Sequence, residues 1–173
     1  MVRGPCRTRG VPIRALIQRV TAASVRVEGA AVASIGRGFM VLLGIRRGDT
    51  AAAAGALAAR TAVFRIFPDE AGKMGRALGD VGGEVLVVSQ MTLYGDTTKG
   101  RRPSFEAVAP GPESRPLYEA YVAALRATGL PVATGVFGAM MEVTLVNDGP
   151  VTFLLEEPAG QGPNGGSGVF DQP

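Results

Sequence analysis

Phe39-Met40-Val41-Leu42-Leu43-Gly44-Ile45 is the stretch on which the fold turns. A near-continuous apolar run of this kind is typical of a strand buried on both faces. Working outward, Ile13 to Val20 and Ala23 to Val27 suit strands, and Glu28-Gly29 marks a turn into a further strand from Ala31 to Ile35. Gly36-Arg37-Gly38 then turns the chain again, into the apolar run itself. The expectation is a meander of antiparallel strands.

Beyond the meander, Gly48-Asp49-Thr50 supplies capping chemistry for an alanine-rich helix over about Ala51 to Thr61. Val63 to Phe67 reads as a short strand, Pro68 to Gly72 as a turn, and Glu84 to Val88 as another strand. A long polar loop runs from Tyr94 to Pro112; loops of this length in a compact domain are functional or disordered. A second helix is expected from near Ser114 or Pro116, with an apolar stripe at Leu117, Tyr121 and Leu125, stopped by Gly129 and Pro131. Two last strands are expected around Ala139 to Val146 and Val151 to Glu156, joined through the hairpin signal Asn147-Asp148-Gly149. The predicted class is α+β: an antiparallel, barrel-like or sandwich β domain carrying two helices. Its many short strands leave edges that a partner can cover, which points to a homodimer.

The length of 173 residues suits one domain. Its boundaries are expected at 13–157, between an extension over residues 1–12 and a flexible Gly/Pro-rich tail over 158–173. The first dozen residues have no apolar segment of the kind that follows the charges of a secretory signal, and no apolar run nears the roughly 18 residues of a membrane span. A cytoplasmic, non-membrane protein is expected. The formal charge of +3 is matched entirely by Arg3, Arg7 and Arg9 in the extension, so bulk charge says little about nucleic acid. Cys6 is the single cysteine, which excludes an intrachain disulfide. Histidine is absent, and that excludes Ser-His-Asp and Cys-His nucleophile activation and His-ligated zinc.

Two stretches carry chemistry. Ser89-Gln90-Met91-Thr92 offers two hydroxyls, a carboxamide and successive N–H groups at a strand end, the makings of an oxyanion hole or simply of a polar strand terminus. A Ser89 or Thr92 nucleophile needs a base, which leaves only Lys73, Lys99 or a carboxylate. In the second stretch, Asn147-Asp148-Gly149-Pro150-Val151-Thr152, the proline removes a ladder donor and fixes φ. Gly149-Pro150 is then either a structural turn or a rigid pair of carbonyls acting as a steric gauge. Lys99, Arg101 and Arg102, with Phe105 and Tyr94 nearby, suit phosphate pairing or a solvated cationic loop. Phe137 suits base stacking or core packing. The spacing of Asp148, Glu156 and Glu157 supports no metal site.

Ser-Gln-x-Thr-Leu at 89–93 and Asn-x-Gly-Pro-x-Thr at 147–152 resemble the two signature motifs of the D-aminoacyl-tRNA deacylase family, of the bacterial and eukaryotic type once called D-tyrosyl-tRNA deacylase. The likeness runs from about Arg14 to Leu155 and takes in Gly100-Arg101-Arg102-Pro103-Ser104-Phe105 and Phe137-Gly138-Ala139-Met140. It implies a homodimeric hydrolase with its sites at the subunit interface, needing no cofactor or metal. Such an enzyme cleaves the ester joining a D-amino acid, or glycine mischarged on tRNA for alanine, to the tRNA 3′ end. It implies a Gly-cisPro motif at Gly149 and Pro150 that enters the partner's pocket and rejects L side chains. Main-chain amides at Met91 and Thr92 would hold the substrate, with Ser89 and Gln90 shaping the pocket and the 2′-hydroxyl of the terminal adenosine aiding hydrolysis. Phe137 would lie near that adenine, and Lys99, Arg101 and Arg102 would meet tRNA. One departure stands out: the family usually has Phe where this chain has Met91. A non-catalytic RNA-binding barrel is the alternative.

Overall fold

The computed structural model describes residues 12–98 and 100–158; the expectations for residues 1–11, Lys99 and residues 159–173 lie outside the described residues. The organising element is β1 (Ile13–Val27), whose inward positions Ile13, Ala15 and Ile17 alternate with half-buried ones, the period-two pattern of a strand packed on one side. A bulge near Thr21 joins what the sequence suggested were two strands into one. One edge of β1 pairs with β3 (Gly38–Gly44) and then with β2 (Ala30–Ile35). Its other edge pairs along nearly its whole length with β8 (Glu142–Glu157). Glu28 at φ 51 and Gly29 at φ 79 make the two-residue turn between β1 and β2, both in the left-handed region that a primed hairpin turn demands.

The apolar run forms β3, buried on both faces as expected. It pairs with β6 (Glu84–Ser89) in parallel, and β6 pairs in parallel with β7 (Val132–Thr134). The sheet is therefore mixed rather than antiparallel. β2 lies against β6 and β7 without pairing, so the sheet curls into a nearly closed barrel. A small hairpin, β4 (Phe67–Pro68) and β5 (Met74–Arg76), stands where a strand was expected from Val63.

Two helices cover one face, completing the α+β architecture. Helix α1 (Ala51–Ala62) starts at Thr50, whose hydroxyl accepts the Ala53 N–H at 3.2 Å. Helix α2 (Gly111–Ala127) begins earlier than expected, directly after Pro110, and holds Pro116 within it. Ala53, Leu57, Tyr121 and Leu125 pack onto Ile13, Ile17, Val41 and Leu43. A second cluster, with Val20, Val25, Met40 and Leu86, fills the inside of the curl. No helix among the described residues is long and apolar enough to cross a membrane.

Candidate active site

Because β3, β6 and β7 run parallel, the segments leaving their carboxyl ends emerge along one edge of the sheet. Such an edge is where parallel strands gather ligand-binding residues. Ser89 is the last residue of β6, and Gln90 ties its N–H to the Leu43 oxygen at the end of β3, 2.8 Å away. The chain then makes a single tight helical turn, Met91–Tyr94. Gly44 lets it close: a Cβ there would stand 3.0 Å from Tyr94 Cε2 and 3.1 Å from Leu93 Cβ. The first N–H groups of a helical turn have no partner within it. Among the described residues, the N–H groups of Met91 and Thr92 meet no acceptor. The Met91 side chain is 53% exposed, so this pair of donors stands at the surface rather than in the core. Gln90 Nε2 donates to Thr92 Oγ1, and the Thr92 hydroxyl has no amine or carboxylate partner among the described residues.

Phe137 emerges on the same edge. Gly135, two residues earlier, donates its N–H to the Val87 oxygen at 3.0 Å, and Tyr118 on α2 donates to that same oxygen at 2.9 Å. The half-buried Phe137 ring leans on Tyr118 with centroids 5.5 Å apart, and the Arg115 guanidinium carbon lies 4.8 Å from its centre. Phe137 packs against the core cluster and borders this edge. Asp49, in the segment after β3, accepts the Arg46 N–H through Oδ2 at 2.6 Å, while its Oδ1 is buried without a partner among the described residues. Burial pushes its carboxyl above the usual range, against the opposing pull of Arg46.

Arg101 and Arg102 are exposed on a loop pinched shut by reciprocal 2.8 Å backbone bonds between Asp96 and Ser104. The Asp96 carboxylate accepts the Thr98 hydroxyl at 2.6 Å and the Thr98 N–H at 2.9 Å, and these bonds hold its pKa below the usual carboxylate range. Lys99 lies outside the described residues.

Asn147 to Thr152 form no hairpin, which corrects the sequence expectation. β8 is one continuous strand: Gln18 on β1 faces Thr152 and Val20 faces Asn147, so two steps along β1 are matched by five along β8. The surplus is a bulge, Asp148-Gly149-Pro150, closed at its base by the Asn147 side chain. Asn147 Oδ1 accepts the Val151 N–H at 2.7 Å, and Nδ2 donates to the Val151 oxygen at 3.3 Å and to Thr152 Oγ1 at 3.2 Å. This carboxamide stands in for the neighbouring strand that the proline excludes. Gly149 sits at φ +149, and the Gly149-Pro150 peptide is cis. Arg19, buried on β1, donates from Nε to the Asp148 oxygen at 3.0 Å, pairs with the Asp148 carboxylate at 3.1 Å, and donates from Nη1 to the Ile66 oxygen.

One chain does not bring its two motifs together. The bulge lies opposite Gln18 to Val20, whereas Ser89 is level with Leu43, Ala15 and Leu155, and two strands, β1 and β3, intervene. The outer edge of β8 has no strand partner among the described residues, and Val143, Val146, Phe153 and Leu154 are exposed along it. Sequence reasoning passed over Arg14 and Arg19. Arg19 had a readable signal, being a charged residue in phase with the inward Ile13, Ala15 and Ile17. Arg14 donates from Nη1 to the Leu93 oxygen at 3.0 Å and from Nε to Glu156 at 2.7 Å.

A family model described as D-Tyr-tRNA(Tyr) deacylase matches residues 16–156. A D-aminoacyl-tRNA deacylase of Thermomicrobium roseum is 59% identical over 144 residues, 83% of this chain and 94% of that protein. One from Heliobacterium modesticaldum is 57% identical over 149 residues, 86% and 99% of the two chains. Among solved structures, a c-Myc DNA unwinding element binding protein superposes with a TM-score of 0.78 at 41% identity, over 84% of this chain and 99% of the other. A probable eukaryotic D-amino acid tRNA deacylase superposes with a TM-score of 0.72 at 19% identity, over 83% and 98%, a likeness of fold.

Proposed function

The chain belongs to the D-aminoacyl-tRNA deacylase family and carries that family's hydrolase activity, and we propose that it does so with main-chain donors at the Met91–Tyr94 turn and a chiral gauge at Gly149-Pro150. The observation that carries this reading is the pair of unpartnered N–H groups of Met91 and Thr92 on an exposed turn. Water adds to the ester carbonyl carbon of the bound aminoacyl-tRNA, and the carbonyl oxygen, gaining negative charge, is held by the two donors. The bond to the ribose oxygen then breaks, and that oxygen takes up a proton, leaving free amino acid and tRNA. Preorganised donors of this kind each contribute on the order of 10²–10³ in rate. The 2′-hydroxyl of the terminal adenosine assists the attack, so no histidine is needed. Ser89 and Gln90 line the pocket. Phe137 borders the adenine, and Arg101, Arg102 and Lys99 meet the tRNA backbone.

Selectivity works by exclusion. Two copies pair through the exposed β8 edge, and the bulge of each enters the other's site, which accounts for a gauge and a donor pair held apart within one chain. The Gly149 and Pro150 carbonyls face the substrate Cα: a D side chain or glycine clears them, and an L side chain collides. Glycine held on tRNA for alanine is thus a second substrate. The activity serves translation in the cytoplasm, where charged tRNA is used.

The test is hydrolysis of D-Tyr-tRNA and L-Tyr-tRNA in EDTA, with the molecular mass measured by sedimentation. Release of D-tyrosine with L-Tyr-tRNA spared, from a dimer, is the expected result. Equal rates on both, or a monomer with full selectivity, sinks the gauge in trans.

A further inference from the structure

We propose that Arg14 is a positioning residue for the deacylation step, holding the Met91–Tyr94 turn so that its free N–H groups aim at the substrate oxygen. The inference rests on the reading of that turn as the oxyanion site. A lone turn of helix is marginal by itself. This one opens on a long bond, 3.4 Å from Leu93 N–H to the Gln90 oxygen, and closes on a 3.0 Å bond from Gly95 N–H to the Thr92 oxygen. The end that carries the free donors is therefore the looser one, and contacts from outside have to hold it.

Three anchors do this. Gln90 is bonded to the end of β3, and the Tyr94 hydroxyl donates to the Pro12 oxygen. The third anchor is Arg14. Its Nη1 donates to the Leu93 oxygen at 3.0 Å, and its guanidinium carbon lies 4.8 Å from the centre of the Tyr94 ring, so one side chain grips two successive residues of the turn. Arg14 is itself fixed: Glu156, its cross-strand partner on β8, accepts Nε at 2.7 Å. A planar guanidinium can meet a carboxylate, a carbonyl and a ring face together, which an ammonium cannot. With Glu156 beside it the charge is largely offset. What Arg14 gives the turn is direction rather than field.

The experiment measures kcat and KM for D-Tyr-tRNA with full-length wild type, Arg14→Ala and Arg14→Lys, alongside thermal unfolding of each. The expected result is a kcat lowered at least about tenfold in Arg14→Ala with KM within about twofold, since small misplacements of catalytic groups act on the chemical step. Arg14→Lys, which still reaches the Leu93 oxygen, recovers part of the loss. A merely structural Arg14 lowers the melting temperature and leaves kcat of the folded enzyme unchanged, and that outcome overturns the proposal. So does a loss confined to KM. Should Arg14→Ala not fold, Arg14→Lys decides alone: kcat equal to wild type overturns the proposal, and a lowered kcat at unchanged KM supports it. An inactive wild type would instead count against the function proposed above, so the two failures are separable.

Discussion

Arg19 Nε lies 3.0 Å from the main-chain oxygen of Asp148, reaching from the inward face of β1 to the first residue of the bulge on β8. The same guanidinium meets the Asp148 carboxylate and the Ile66 oxygen, so β1, the bulge and the segment before β4 share one cation. Arg19→Met keeps the apolar stem and removes every one of these donors. Leaving the buried Ile66 oxygen and the half-buried Asp148 oxygen unpaired costs about 1–3 kcal/mol. The variant is expected to melt at a lower temperature and, with its bulge loosened, to lose at least about tenfold in its preference for D-Tyr-tRNA over L-Tyr-tRNA. An unchanged ratio of the two rates would show that Arg19 supports only the fold.

Gly149 has no room for a side chain. A Cβ would fall 2.5 Å from Val151 Cγ2 and 2.7 Å from Val151 N, and φ +149 is a region that L residues rarely adopt. Gly149→Ala therefore has to shift the backbone beside Pro150, at a cost of about 1–3 kcal/mol. The expected outcome is weaker rejection of L-Tyr-tRNA with D-Tyr-tRNA hydrolysis retained within about tenfold, because the donors at Met91 and Thr92 lie on a separate turn. Parallel loss of both activities would place Gly149 in the reaction itself.

These residues also show what the sequence carries and where it stops. The run Phe39 to Ile45, the Thr50 cap and the Glu28-Gly29 turn act through their immediate neighbours, and all three are readable from local spacing. The parallel pairing of β3 with β6 is not, since an apolar run buried on both faces looks the same in either direction. β7, three residues long, offers too few side chains to show a period. The false hairpin at Asn147 has a clearer cause: Asn-Asp-Gly favours a reversal, but Asn147 spends its carboxamide on Val151 and Arg19 pins Asp148, so the chain bulges and continues. Both contacts span positions that only the folded chain brings together. The motif at 89–92 is legible as a polar strand end, whereas its two free donors follow from a turn that Gly44 and Arg14 hold from β3 and β1.

Asp49 has a pH signature. Burial raises its folded-state pKa, so the charged form is disfavoured in the fold, and the stability associated with the neutral acid is present below the ordinary carboxylate range and lost as pH rises through the raised value. Asp49→Asn, which keeps an oxygen for the Arg46 N–H, is expected to melt slightly above wild type at pH 7. That advantage should shrink as the pH falls through the raised value and be gone below about 4, where both states of wild type are protonated. Melting curves across pH 3–7 check this, and a gain that grows toward acid would reverse the assigned sign.

The last prediction separates the main-chain reading from a protein nucleophile. Thr92→Ala leaves the N–H in place and removes only a hydroxyl whose partner is the Gln90 carboxamide. Losing one such neutral bond is worth about 1 kcal/mol, so turnover should stay within about fivefold of wild type. Removing a true nucleophile costs on the order of 10⁴ or more. The converse change is made on the substrate: D-Tyr-tRNA ending in 2′-deoxyadenosine lacks the hydroxyl assigned to assist the attack, and its hydrolysis should fall by about 10²-fold or more with binding retained. If Thr92→Ala is dead and the deoxy substrate is cleaved normally, the nucleophile belongs to the protein and the role given to the nucleic acid is wrong.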